Sequence, residues 1–144
     1  MTTSVRLLDV TDLSNIAEYA YAATTDGRAR LVFLAGSCPL DATGATVAPG
    51  DYAAQAAQCL DNMEVALAAA GARLTDVIST RVLVASAAQA DLVAAWQVHR
   101  DRFGDHAVPS TLLGVTVLGY DQQLVEIEAV AAVADENYSQ PSVP

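Results

Sequence analysis

The chain has 144 residues, 53% of them hydrophobic, and a mean hydropathy of +0.30, enough apolar material for one core, since domains near this length bury roughly two-thirds of the surface their unfolded chains expose. Seventeen acidic residues against seven basic ones give a formal charge of −10, a surface that repels phosphate backbones, so no nucleic-acid partner is expected. All seven basic residues are arginine; the missing lysine rules out a Schiff-base or pyridoxal-phosphate lysine and a P-loop lysine together.

In chain order, Val5 to Leu8 reads as a short first strand. Glu18 to Thr24 and Leu31 to Ala35 are β-like runs on either side of Asp26-Gly27, a pair that favours a tight hairpin turn. Gly36-Ser37-Cys38-Pro39 breaks the strand and opens a long loop through Gly44 to Pro49-Gly50. Asp51 is the expected N-cap and Gly71 the expected stop of a helix of about five turns. Leu60, Met63, Leu67 and Ala70 recur along it at helical spacing. Val77 to Val84 is a strand rich in β-branched residues. A second helix begins near Ser86 to Ala88, carries Leu92, Trp96, His99 and Phe103 on one face, and stops at Gly104. Ser110 to Leu118 and Leu124 to Val133 then read as a closing hairpin across Gly119-Tyr120-Asp121. The polar stretch 135–144 is expected to be a disordered tail, leaving 1–134 as one domain.

The order β-β-β-α-β-α-β-β predicts an α+β sandwich with two helices on one face of a mixed sheet. Yet Val32-Phe33-Leu34-Ala35, Val82-Leu83-Val84 and Leu112-Leu113 are apolar on both faces. A wet second face would exceed the few hundred square ångströms of apolar patch usual for a monomer, so a homo-oligomer with packed sheet faces is expected. No apolar run approaches the roughly 20 residues that span a bilayer, and the N-terminus lacks a charged-then-apolar signal pattern, so a cytoplasmic protein without membrane association is expected. Cys38 and Cys59 show neither disulfide-framework nor zinc spacing and read as free thiols; no metal or cofactor is expected.

One strand carries the chemistry. In Leu124-Val125-Glu126-Ile127-Glu128-Ala129-Val130, alternation puts both carboxylates on one face and only Val125, Ile127 and Ala129 on the other. An acid so placed stands at an edge, in water, or at the wall of a cleft. Pro109-Ser110-Thr111-Leu112-Leu113-Gly114-Val115 reads as its partner strand.

Asp51-Tyr52-Ala53-Ala54-Gln55-Ala56-Ala57-Gln58-Cys59-Leu60-Asp61-Asn62, followed by Ala69-Ala70-Gly71 and Asp76-Val77, resembles the reactive-intermediate deaminase (Rid, or YjgF) family, whose helix reads Gln-x-x-Gln-x-Leu-x-Asn. Ala35-Gly36-Ser37-Cys38-Pro39 is similar to that family's Ser-Gly-Gln-x-Pro turn, and Val125-Glu126-Ile127-Glu128-Ala129 to its closing strand. The resemblance runs from about Tyr19 to Val133. It implies a chorismate-mutase-like fold, a homotrimer with clefts between subunits, and hydrolysis of reactive enamines and imines to 2-oxo acids and ammonia. Carried over residue by residue, Glu126 matches the family's cleft glutamate, and Tyr19 its cleft tyrosine, with Tyr21 as the alternative. Gly36, Ser37, Cys38 and Leu113 fall among the residues that would line the cleft.

The family's carboxylate-clamping arginine has no match: Thr111 stands in its place, or Ser110 if the register slips by one. The segment resembles an arginine-less branch. Charge-assisted hydrogen bonds contribute about 1.5–3 kcal/mol each, so recognition of a small 2-imino acid would fall by about ten- to hundredfold.

Each residue has a plainer reading. Glu126 either positions water at a C=N carbon or is a glutamate satisfied at an interface; Glu128 reads as a solvated or salt-bridged neighbour. Ser110 and Thr111 either donate to a substrate oxygen or are ordinary strand residues. Cys38 lines the pocket or is a small buried hydrophobe, and His99 reads as packed in its helix stripe. His106 is a candidate acid or base at the cleft mouth, and Arg81 either supplies the missing charge or forms an ion pair. Three functions remain open: hydrolysis of an imine, enamine or related intermediate; a lyase, isomerase or cyclisation step in a degradative or secondary-metabolite pathway; and small-ligand binding by a trimer without turnover.

Overall fold

The computed structural model describes residues 3–135. Its elements are β1 (Val5–Leu8), β2 (Ala22–Thr25), β3 (Ala29–Phe33), α1 (Tyr52–Ala69), a 3-10 turn (Leu74–Asp76), β4 (Val77–Val84), α2 (Gln89–Phe103), β5 (Ser110–Gly114) and β6 (Val125–Ala134). The strands form a four-stranded sheet in the order β3-β6-β4-β5 and a separate β1-β2 pair. β4 and β5 run parallel, and every other pairing is antiparallel, so the sheet is mixed. Both helices pack on one face of it, over a core that includes Cys59, Leu60, Met63, Leu67, Val82, Val84, Phe103, Val125 and Ile127. This is the α+β sandwich expected from the order of the elements.

Local chemistry accounts for the helix ends. Asp51 Oδ1 accepts the Ala54 N–H at 2.9 Å and caps α1 as expected. At α2 the Ser86 hydroxyl donates to Asp91 at 2.7 Å while its oxygen accepts the Ala88 N–H at 3.0 Å. The α2 stripe lands on the core side, with His99 and Phe103 buried and Leu92 and Trp96 partly so.

Two expected hairpins do not form. Gly27 has a φ of +74°, as a turn after Asp26 requires. Its flanking strands nevertheless diverge: β2 pairs with β1, while β3 pairs with β6. The closing hairpin also gives way, because β6 lies between β3 and β4, and β5 pairs in parallel with β4 at the edge. The physical reason lies in burial. β6 alternates fully buried Val125, Ile127 and Ala131 with half-buried residues, and such a strand gains most from having neighbours on both sides. Pro109–Val115 is thus not the ladder partner of the Glu126 strand. Of the expected tail, only Asp135 is described, its N–H donating to the Arg28 carbonyl at 3.1 Å; 136–144 lie outside the described residues.

The face away from the helices carries Leu31 and Phe33 of β3, which are 54% and 74% exposed in the single chain. Across it run two rows set by register: Glu126 beside Leu83 beside Leu113, and Glu128 beside Arg81 beside Thr111.

Candidate active site

Glu126 is held at the middle of this open face by two segments remote in sequence. Its Oε1 accepts the Cys38 thiol at 3.0 Å and the Gln123 amide at 3.3 Å. Its Oε2 occupies the space that a side chain at position 36 would take: a Cβ on Gly36 would stand 2.6 Å from that oxygen. Gly36 is therefore a matter of room for the carboxylate. Ser37 fixes the loop against β6 through paired backbone bonds with Ile127 at 2.8 and 3.0 Å. Burial first, then the hydrogen bond and charge of Glu126, push the Cys38 thiol up to about 11, so it stays protonated as a donor at neutral pH. Cys59, in the core, is likewise raised, chiefly by burial.

The polar residues of α1 explain why those segments stay in place. Buried Gln55 donates to the Gln122 carbonyl at 3.0 Å and accepts the Leu124 N–H at 2.7 Å, bracketing Gln123. Asn62 donates to the carbonyls of Cys38 and Leu40, both at 2.9 Å, and Gln58 steadies Asn62 at 3.0 Å. The helix motif thus clamps both arms that hold Glu126. Neither the place of Gln123 nor these clamping contacts follow from the sequence alone. The available signal was glutamine and asparagine on a helix otherwise rich in alanine and leucine.

Tyr19, Ser110 and Thr111 meet elsewhere, around a cavity of about 440 Å³ completed by Trp96 and Leu112 at the free edge of β5. Tyr19 packs edge-on against Trp96, with centroids 5.9 Å apart. Tyr21 turns away and donates to the Ser14 carbonyl at 2.6 Å. The cavity walls do not include Glu126. Leu113 lies between the two groups, two strands from Glu126, a span of about 10 Å.

Other candidates are accounted for by their partners. His106 Nε2 donates to the Val77 carbonyl at 2.7 Å. Arg81 lies 3.6 Å from Glu128 in a partly exposed ion pair, so its charge goes to that carboxylate. His99 is buried beneath Trp96 and Phe103, with ring centroids 5.0 and 4.6 Å away.

A two-helix α+β sandwich with a clamped glutamate on its central strand defines a class of protein. Residues 11–133 match the family model described as Endoribonuclease L-PSP, and the chain belongs to this family, the YjgF/Rid family. A RutC family protein of Pyrococcus horikoshii is 33% identical over 100 residues, covering 69% of this chain and 77% of that protein. Among solved structures, a protein of unknown function of the conserved Rid family, YyfB from Yersinia pestis, superposes with a TM-score of 0.81 at 27% identity, covering 91% of this chain and all (100%) of that one. A Mycobacterium tuberculosis member of the YjgF/YER057c/UK114 family gives a TM-score of 0.61 at 31% identity, covering 90% and 100% of the two chains.

Proposed function

We propose that this protein is a Rid-type hydrolase that adds water to the C=N carbon of an imine or enamine-derived intermediate, releasing a carbonyl compound and ammonia. Glu126 takes a proton from the attacking water and returns it to the departing nitrogen. The supporting observation is the carboxylate itself: one oxygen is fixed by Cys38 and Gln123, while the other lies over Gly36. A structural glutamate with both oxygens saturated would support the reading less well.

Tyr19 lines the cavity at the β5 edge while Glu126 stands on the open sheet face, so in this reading the complete site is assembled between sister copies in a homotrimer. Exposed Leu31 and Phe33 favour this arrangement, because packing the open sheet faces together removes them from water. Within one chain no cationic side chain lines the Tyr19 cavity and Arg81 is engaged by Glu128, which favours a substrate other than the family's usual 2-imino acid. RNA cleavage, which the family description names, suits this chain poorly. Its net charge is −10, and Arg6, Arg73, Arg81, Arg100 and Arg102 each lie beside a carboxylate. Among the described residues no helix is long and apolar enough to cross a membrane, in keeping with work on a small cytoplasmic metabolite.

The test supplies imines in place, from neutral amines with an amine oxidase and from amino acids with an amino-acid oxidase, and follows ammonia release. Acceleration, larger for the neutral imines, is the expected result. No acceleration with either set overturns the reading.

A further inference from the structure

We propose that Ser110 is fixed as a hydrogen-bond acceptor at the Tyr19 cavity, so that the ligand presents an N–H to it where the family's usual substrate presents a carboxylate. The substrate class is a small nitrogen compound, with an amide, enamine or iminium N–H, that lacks a carboxylate at this end. The inference rests on the proposed function in taking this cavity as part of the substrate site.

The direction of one hydrogen bond decides the rest. Ser110 Oγ lies 2.8 Å from the Val108 carbonyl oxygen, which can only accept, so the single hydroxyl proton of Ser110 goes there. Ser110 Oγ is also 2.7 Å from Thr80 Oγ1. With its own proton committed, Ser110 accepts, and Thr80 donates. Thr80 Oγ1 is in turn 2.9 Å from His99 Nε2; its proton is spent, so Nε2 carries the hydrogen. The chain runs one way, from His99 through Thr80 and Ser110 to Val108.

One further observation fits this direction. His99 Nδ1 is buried without a partner. In the assigned tautomer it is a bare lone pair against aromatic rings, which costs less than an orphaned N–H. Burial holds the His99 pKa down, to about 4, so near pH 7 the ring carries a single N–H, which the Thr80 contact assigns to Nε2.

A hydroxyl has one proton and two lone pairs. Ser110 has donated its proton to Val108 and received one from Thr80, so a single lone pair remains. Whatever meets it must donate. The Trp96 indole N–H is likewise committed, to Glu18 at 3.0 Å, and the walls of Tyr19, Trp96, Ser110, Thr111 and Leu112 hold no cation. A carboxylate at Ser110 would set its lone pairs against another. The same direction removes Ser110 as a nucleophile, since the imidazole nitrogen along the chain already bears a proton.

Two measurements test the assignment. In protein labelled with nitrogen-15 at histidine, a His99→Asn variant identifies the His99 signals against those of His106. His99 is expected as the Nε2–H tautomer; an Nδ1–H tautomer overturns the proposal. Trp96, the chain's one tryptophan, then reports binding by fluorescence as butanamide and butanoate are titrated separately. The amide is expected to saturate at a concentration at least about tenfold lower, and Ser110→Ala to weaken the amide alone by about threefold to tenfold. No saturable amide response, an equal or tighter butanoate response, or indifference to Ser110→Ala overturns it. Both readouts are at equilibrium. Amide preference without imine hydrolysis would fail only the proposed function, whereas hydrolysis with carboxylate preference would fail only this inference.

Discussion

Two polar clusters penetrate this largely apolar sheet, and they handle their protons differently. At Glu126, three groups converge on a carboxylate: the Cys38 thiol and the Gln123 amide bind one oxygen, and the other lies over Gly36. At Ser110 the donors run in single file, each consumed by the next, from His99 to the Val108 carbonyl. The first cluster keeps proton-accepting capacity on a charged group. The second is closed, with one lone pair left over. A water-activating base needs the first arrangement, and a fixed recognition point is served by the second.

The largest expected difference is in rate. Glu126→Gln keeps the shape of the side chain and removes its basicity, so hydrolysis is expected to fall at least about a hundredfold, measured as ammonia release, with the thermal midpoint little changed. The same variant checks the contact itself. Removing the charge that helps raise the Cys38 pKa should speed its alkylation near pH 8. An unaltered rate of hydrolysis would break the contrast between the clusters.

The second cluster should answer to acid. His99 has its folded pKa lowered from 6.5 to about 4 by burial, so the unfolded chain binds the proton more readily. The contribution to stability is therefore full above about pH 6.5 and is lost as pH falls toward 4, by about 3 kcal/mol for a ring this deeply buried. Carboxylates with lowered pKa values, such as Asp41, weaken the fold in the same direction at still lower pH. The difference between wild type and His99→Asn in urea denaturation across pH 4–7 isolates the ring: the variant's stability should fall less steeply.

These clusters were unequally legible in the sequence. Period-2 alternation exposed Glu126 and Glu128 on one face, and the helix pattern put His99 on a buried stripe, because both signals are local. The links themselves are not. Cys38 meets Glu126 across 88 residues and Gln55 meets Leu124 across 69, distances over which no periodicity carries information. Strand pairing failed for the same reason. Turn residues at Asp26-Gly27 and Gly119-Tyr120-Asp121 mark where the chain reverses, but the neighbour each strand takes depends on which one most needs burial on both sides. The direction of the Ser110 chain required a carbonyl, Val108, whose position only the folded backbone shows.

Gln55 tests whether the first cluster depends on its clamps. Gln55→Ala leaves the Leu124 N–H and the Gln122 carbonyl without their partner, at a cost of about 2–3 kcal/mol, read as a lowered urea midpoint. Gln122 sits at a φ of +58°, a conformation that a residue other than glycine holds only when its neighbours impose it. Loss of the clamp should also loosen Gln123, and with it the Oε1 side of Glu126.

The smallest change asks the sharpest question. At Gly36→Ala the new Cβ would lie 2.6 Å from Glu126 Oε2 and 2.7 Å from its Cδ, too close for both to stay. The obstacle is a flexible side chain, so the carboxylate swings aside, giving up its Cys38 and Gln123 hydrogen bonds, and the fold loses about 1–2 kcal/mol. Hydrolysis should nevertheless fall about tenfold, since a base displaced by an ångström no longer meets the water in line with the C=N carbon. Equal activity in Gly36→Ala and wild type would mean that Glu126 has no fixed place in the reaction, and the two clusters would then differ in hydrogen bonding but not in role.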